Sequence, residues 1–148
     1  MFVKAKEKHT APSFDWEHGK YPRTKALYEA LLKKAPDFLP ARYQCALLKL
    51  ENALAAQGSE LLHKAIDELK ELTRQDYLQA HIALGRVYLD ALQAKTTSHE
   101  KRTDEQSFLV GNQQAFQKEE FVDLIKQGLT KAANAQYFLA AQLSEDIQ

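Results

Sequence analysis

The sequence is poor in the residues that interrupt, cross-link or anchor a chain. Five glycines and four prolines among 148 residues leave little material for the frequent tight turns of a small β-protein. A single cysteine, Cys45, excludes an internal disulfide and suits a reducing compartment. Charge of neither sign prevails: twenty Lys and Arg balance twenty Asp and Glu, so the basic face of a nucleic-acid binder is not expected and no nucleic-acid partner is read. Apolar runs are short. YFLAA at 137–141 is among the longest, far below the ~20 residues that cross a bilayer, so no membrane partner is expected. The opening MFVKAKEKHT carries lysines with no apolar stretch behind them and is not expected to be a secretory signal. A soluble, cytoplasmic chain is the expectation.

Ala, Leu, Lys, Glu and Gln dominate instead, all good helix formers, and strand-like alternation of β-branched residues is missing. The length fits one domain with a core of its own. The fold class is all-α.

The helical reading can be made specific. In LQAHIALGRVYLDAL (78–92), residues Ala80, Leu84, Val87, Tyr88 and Ala91 fall on one helix face at 3.6 residues per turn. Gly85, among them, costs up to ~1 kcal/mol against alanine inside a helix, which suggests a crowded helix crossing. The pattern of a small residue, three variable positions, an apolar residue and another small one occurs three times: Ala41–Cys45–Ala46, Ala80–Leu84–Gly85 and Ala135–Leu139–Ala140. An amphipathic stretch precedes each, at 24–36, 59–73 and 120–133. From Leu27, Ala65 and Phe121 the distances to Ala41, Ala80 and Ala135 are 14, 15 and 14 residues. Such constant spacing indicates a repeat of helix pairs.

On these residues the chain resembles tetratricopeptide-class repeat proteins, with KAANAQYFLA (131–140) most similar to the Sel1-like branch. The resemblance covers residues 24–148 and implies a short α-α superhelix, a solenoid of about three helix pairs, with residues 1–23 as an N-terminal arm or cap. Phe14, Trp16 and Tyr21 would cover the exposed end of the first pair. The repeat starts lie 39 and then 55 residues apart, a difference of sixteen, which marks an inserted segment at about 95–118. Within it, Thr103-Asp-Glu-Gln106 reads as a cap for a short helix that runs to Val110 and ends at Gly111. Ser59 is expected to cap the helix that follows Gly58. Pro36 should end a helix, and Pro40 should sit in a first turn.

Catalytic signatures are missing: no phosphate-binding glycine loop, nucleophile elbow or His-Glu-x-x-His occurs. Glu60, His63 and Asp67 share one helix face, but a carboxylate di-metal site needs a second Glu-x-x-His from a facing helix. They read as a solvated face, and no metal or cofactor is expected; a helical metal-dependent enzyme built on them is the alternative. Cys45 takes the apolar slot of Leu84 and Leu139 and reads as an inert buried thiol. Glu119 and Glu120 suit a helix N-terminus. HEKR (99–102) reads as solvated loop.

The resemblance further implies that the first helix of each pair lines an inner surface. Two residues on from each small residue runs a second stripe: Tyr43, Leu47, Leu50 and Leu54; Ile82, Arg86, Leu89 and Gln93; Tyr137, Ala141 and Ser144. Tyrosine and arginine are the types most often decisive at interfaces. Tyr43, Arg86 and Tyr137, with Gln44 and Asp90 beside them, are therefore the expected groove for a partner protein or peptide; ordinary packing between repeats is the competing reading. Arg86 is the stripe's one basic residue, with Glu51 and Asp90 nearby, so a clamp for a terminal carboxylate is not expected. Phe108, Leu109, Val110 and Phe116 equip the insertion either to fold back over the groove or to touch a partner directly. The function expected is a non-enzymatic protein-binding module, acting as adaptor or as dedicated inhibitor of the immunity-protein kind. A homodimer is compatible with the open ends of such a stack.

Overall fold

In the computed structural model, helix takes up nearly all of residues 20–147, whose backbone is described; the side-chain surroundings are described for residues 23–135. Among the described residues six α-helices follow one another: α1 (Lys20–Lys34), α2 (Leu39–Ala56), α3 (Ser59–Arg74), α4 (Leu78–Thr96), α5 (Asp104–Gly111) and α6 (Lys118–Ile147). Two short 3₁₀ turns, His99–Lys101 and Gln113–Ala115, flank α5, and the described residues contain no strand. The all-α class stands.

The first four helices pack each on the next, with α1 against α2, α2 against α3 and α3 against α4. Linkers of two to four residues allow only antiparallel neighbours. Pro36 lies in the turn after α1, and Pro40 in the first turn of α2, where its missing N–H costs no helix hydrogen bond. After α3 the chain reverses through Asp76, whose φ of 62° lets the Asp76 and Tyr77 N–H groups bond back to Thr73 and Leu72. Gln57 does the same job after α2 with a φ of 56°. The expected cap at Ser59 is not made: Gly58 holds the capping position without a side-chain bond, and Ser59 is already helical. Ser59 therefore carries its hydroxyl one place too far along to cap.

α4 is the central element. Its expected stripe, Ala80, Leu84, Val87, Tyr88 and Ala91, is buried throughout, and so are His81, Ala83, Gly85 and Ala94. A helix buried on so many sides must touch several others, and α4 packs on α3, α5 and α6. A smaller second core holds α1 to α2 through Tyr28, Cys45 and Leu48.

Further expectations are corrected. The third helix pair does not form, because residues 118–147 make one helix that continues through Ala133, Asn134 and Ala135. No glycine or proline stands there to stop it. The insertion contributes to the core: Leu109, Ala115 and Phe116 are buried in the main cluster, and Phe108 and Val110 are half-buried. Thr103 and Gln106 form the expected reciprocal cap of α5. Arg102, read as solvated, donates from Nε to the carbonyls of Ala94 at 3.0 Å and Thr97 at 3.1 Å, closing the C-terminal end of α4. The expectations for Phe14 and Trp16 lie outside the described residues, and the side chains of Tyr21 and Tyr137 do also.

Candidate functional site

Helices α4 and α6 run antiparallel along a seam whose register is set by three meetings. Tyr88 stacks on Phe121 with ring centroids 5.2 Å apart, Gly85 lies against Ile125, and His81 lies against Gly128. A Cβ placed on Gly85 would stand 3.3 Å from Ile125 Cγ1, and one on Gly128 would stand 2.7 Å from His81 Cβ. The two glycines therefore let the backbones approach where full side chains would hold them apart. Phe116 adds a tilted ring 5.6 Å from Phe121, and Lys70 of α3 pairs with Glu120 at 2.6 Å. These fix the first turns of α6.

Close approach at the seam forces the flanking side chains outward. Leu78, Ile82 and Leu89 from α4 face Ile125, Leu129 and Ala132 from α6 across a depression of about 310 Å³ with Gly85, Gly128 and His81 in its lining. Its walls are apolar yet open to solvent: Ile82 is 52 % exposed, Leu89 58 % and Leu129 66 %. The polar groups along it are His81 and Arg86. Arg86 is exposed and has no ion-pair partner among the described residues.

Below the groove lies a polar knot. His81, 2 % exposed, hydrogen-bonds through Nδ1 to the Leu124 carbonyl at 2.8 Å, which makes Nδ1 the protonated nitrogen. Nε2 is then free to accept from Lys131 Nζ at 2.9 Å. Lys131 also donates to Thr73 O at 3.3 Å and to Asp76 Oδ1 at 2.8 Å, so all three of its N–H groups are used. Burial pushes the His81 pKa below its ordinary value, and Lys131 adds to that push.

Of the five residues singled out from the sequence, four have described side chains. Arg86 lines the groove together with Ile82 and Leu89 of the same stripe. Tyr43 is half-buried, its ring 5.4 Å from that of Tyr77, and burial raises its pKa. Gln44 is half-buried on α2. Asp90 is exposed in a separate hollow of about 230 Å³ beside Thr103, Glu105 and Gln106 of the insertion. Tyr137 falls where no side chain is described. Sequence reasoning missed Gly128, Leu129, His81 and Lys131; the visible signal was Gly128, a second glycine inside an amphipathic helix.

Glu60, His63 and Asp67 are all exposed on α3. Among the described residues, no three His, Cys, Asp or Glu side chains come together as metal ligands could. Cys45 is 3 % exposed, and burial raises its pKa, away from the thiolate a nucleophile needs. No helix among the described residues is long and apolar enough to cross a membrane. No protein-family model, curated protein or solved structure gives a significant match to this chain.

Proposed function

We propose that the chain is a non-enzymatic protein-binding module whose α4–α6 groove receives an amphipathic helix of a partner protein. One observation carries this reading: Ile82, Leu89 and Leu129, contributed by two helices, stand half or more exposed around a single depression. An apolar cluster of that kind is costly to leave in water and supports a contact site there. A helix is the occupant that fits. Leu78 to Leu89 span eleven residues of α4, about 16 Å at 1.5 Å per residue, the length of a three-turn apolar stripe. Arg86, unpaired among the described residues, calls for a carboxylate on the partner beside that stripe.

The finer architecture belongs to the same proposal. Two helix pairs followed by a helix packed on α4 are compatible with a short tetratricopeptide-like stack with one inserted segment. Such a stack would act by rigid presentation of a surface, as adaptor or as dedicated inhibitor. The lone buried cysteine supports placing it in the cytoplasm.

The test is affinity capture followed by binding measurements on the isolated partner. Leu89→Asp and Leu129→Asp, both at exposed positions, should leave the thermal melt unchanged and weaken binding a hundredfold or so, an effect of the size expected of a hot spot. Arg86→Ala should weaken it about tenfold, with the loss fading at high salt. A partner that binds the Leu89 and Leu129 variants as tightly as the original chain would overturn the reading. Groove variants that abolish only a concentration-dependent dimer would give the groove to a second copy of this chain.

A further inference from the structure

Resting on the reading of the α4–α6 groove as a docking site, we propose that His81 and Lys131 form an acid-sensitive latch: when His81 takes up a proton, α6 loosens from α4 and the groove loses its shape. The neutral arrangement is complete. Nδ1–H of His81 donates to the Leu124 carbonyl, Nε2 accepts from Lys131, and Lys131 spends its other hydrogens on Thr73 O and Asp76. α6 is thereby tied to α4, to the end of α3 and to the turn between them by one side chain.

Protonation changes the sign of one contact. Nε2 becomes a donor facing an ammonium 2.9 Å away, with no lone pair left to hold it. The charged groups that face His81 are Lys131 from α6 and Asp76 from the α3–α4 turn; α3 offers the uncharged carbonyl of Thr73, held by Lys131. Asp76 is 82 % exposed, so solvent weakens the one compensating charge. His81 stays in place, because Nδ1–H donates to the Leu124 carbonyl in both protonation states. Lys131 is the group that leaves, and the tie between α6 and the α3–α4 corner goes with it. Histidine is the side chain whose charge changes in this pH range without exotic surroundings.

The experiment is amide hydrogen exchange of the full chain at about pH 7.5 and about pH 5, each corrected for the intrinsic rate. Exchange in α6 from Leu124 to Lys131 should speed up about tenfold at the lower pH, while α3 amides around Leu69 keep their protection. Lys131→Met, which removes the opposing cation and keeps the length, should abolish most of that difference, and His81→Gln, which can donate and accept without titrating, should do the same. No acceleration in the original chain overturns the latch. An acceleration that persists in Lys131→Met overturns it too, even if His81→Gln fails to fold. Titration with 1-anilinonaphthalene-8-sulfonate reports on the groove separately: a dye site at neutral pH removed by Leu129→Asp supports the groove. If seam exchange in those samples ignores pH, the latch alone falls; acid-accelerated exchange without any dye site counts against the groove and leaves the latch.

Discussion

Gly128 of α6 rests on His81 of α4 so closely that a methyl group on the glycine would stand 2.7 Å from the histidine's Cβ. Neither partner can yield cheaply, since His81 is bonded at both ring nitrogens and Gly128 is in mid-helix. Gly128→Ala should therefore cost about 2 kcal/mol in urea unfolding, although alanine is the better helix former. Gly111, at the end of α5, is the control. Nothing lies within 4 Å of its missing Cβ, so Gly111→Ala should be neutral or stabilise by up to ~0.5 kcal/mol.

His81 also sets the sign of the pH dependence of stability. Its folded pKa lies below the ordinary histidine value, first because of burial. Above about pH 6.5 both folded and unfolded chains hold it neutral, and it contributes nothing to the pH dependence. As pH falls through that value the unfolded chain takes up the proton first, so stability declines, and the decline ends once the folded form is protonated as well. Urea melts across this window should show the original chain losing stability and His81→Gln losing less. Parallel curves for the two would refute the assignment.

Gln57 and Asp76 occupy the same left-handed region, with φ of 56° and 62°, yet they should respond differently to glycine. Gln57→Gly relieves the steric cost of a side chain there and should stabilise by about 0.5–1 kcal/mol. Asp76→Gly relieves the same cost but removes the acceptor of Lys131 Nζ, so the gain should be smaller or reversed. Paired thermal melts decide it.

Arg102 closes α4 from a distance of several residues. Arg102→Ala should cost about 1–2 kcal/mol, since it strips the charged Nε–H that the carbonyls of Ala94 and Thr97 share. Arg102→Lys should recover little of that, because a lysine has a carbon where arginine has Nε and carries its donors only at the tip. Full recovery by lysine would show that charge alone matters there.

Much of the architecture was legible because it is local. The buried face of α4 follows from apolar spacing within fifteen residues, and the Thr103–Gln106 cap from hydrogen bonds that reach three residues. The third pair misled because small-apolar spacing says which residues could share a face, not where a helix stops. Lysine, alanine and glutamine around 131–136 all extend a helix, and α6 runs on. The groove was half visible. Ile82, Arg86 and Leu89 came from one helix's own periodicity, whereas Leu129 became their neighbour only through a seam whose register rests on Gly85 and Gly128. The neighbour of Tyr43 could not be read either: Tyr77, thirty-four positions on, supplies the ring that lies 5.4 Å from its own. Long-range pairings of that kind are set by shape and not by local pattern.

The seam has a consequence for the order in which the molecule is made. α1 to α4 can fold as they emerge, since each meets the helix just before it. The ties of α6 reach back 43 residues from Leu124 to His81 and 58 from Lys131 to Thr73, so α6 closes long loops. During synthesis, Tyr88 must wait for Phe121, the ring that stacks on it. The groove comes into being only once α6 has been made, so a nascent chain that stops short of it has no finished surface to offer.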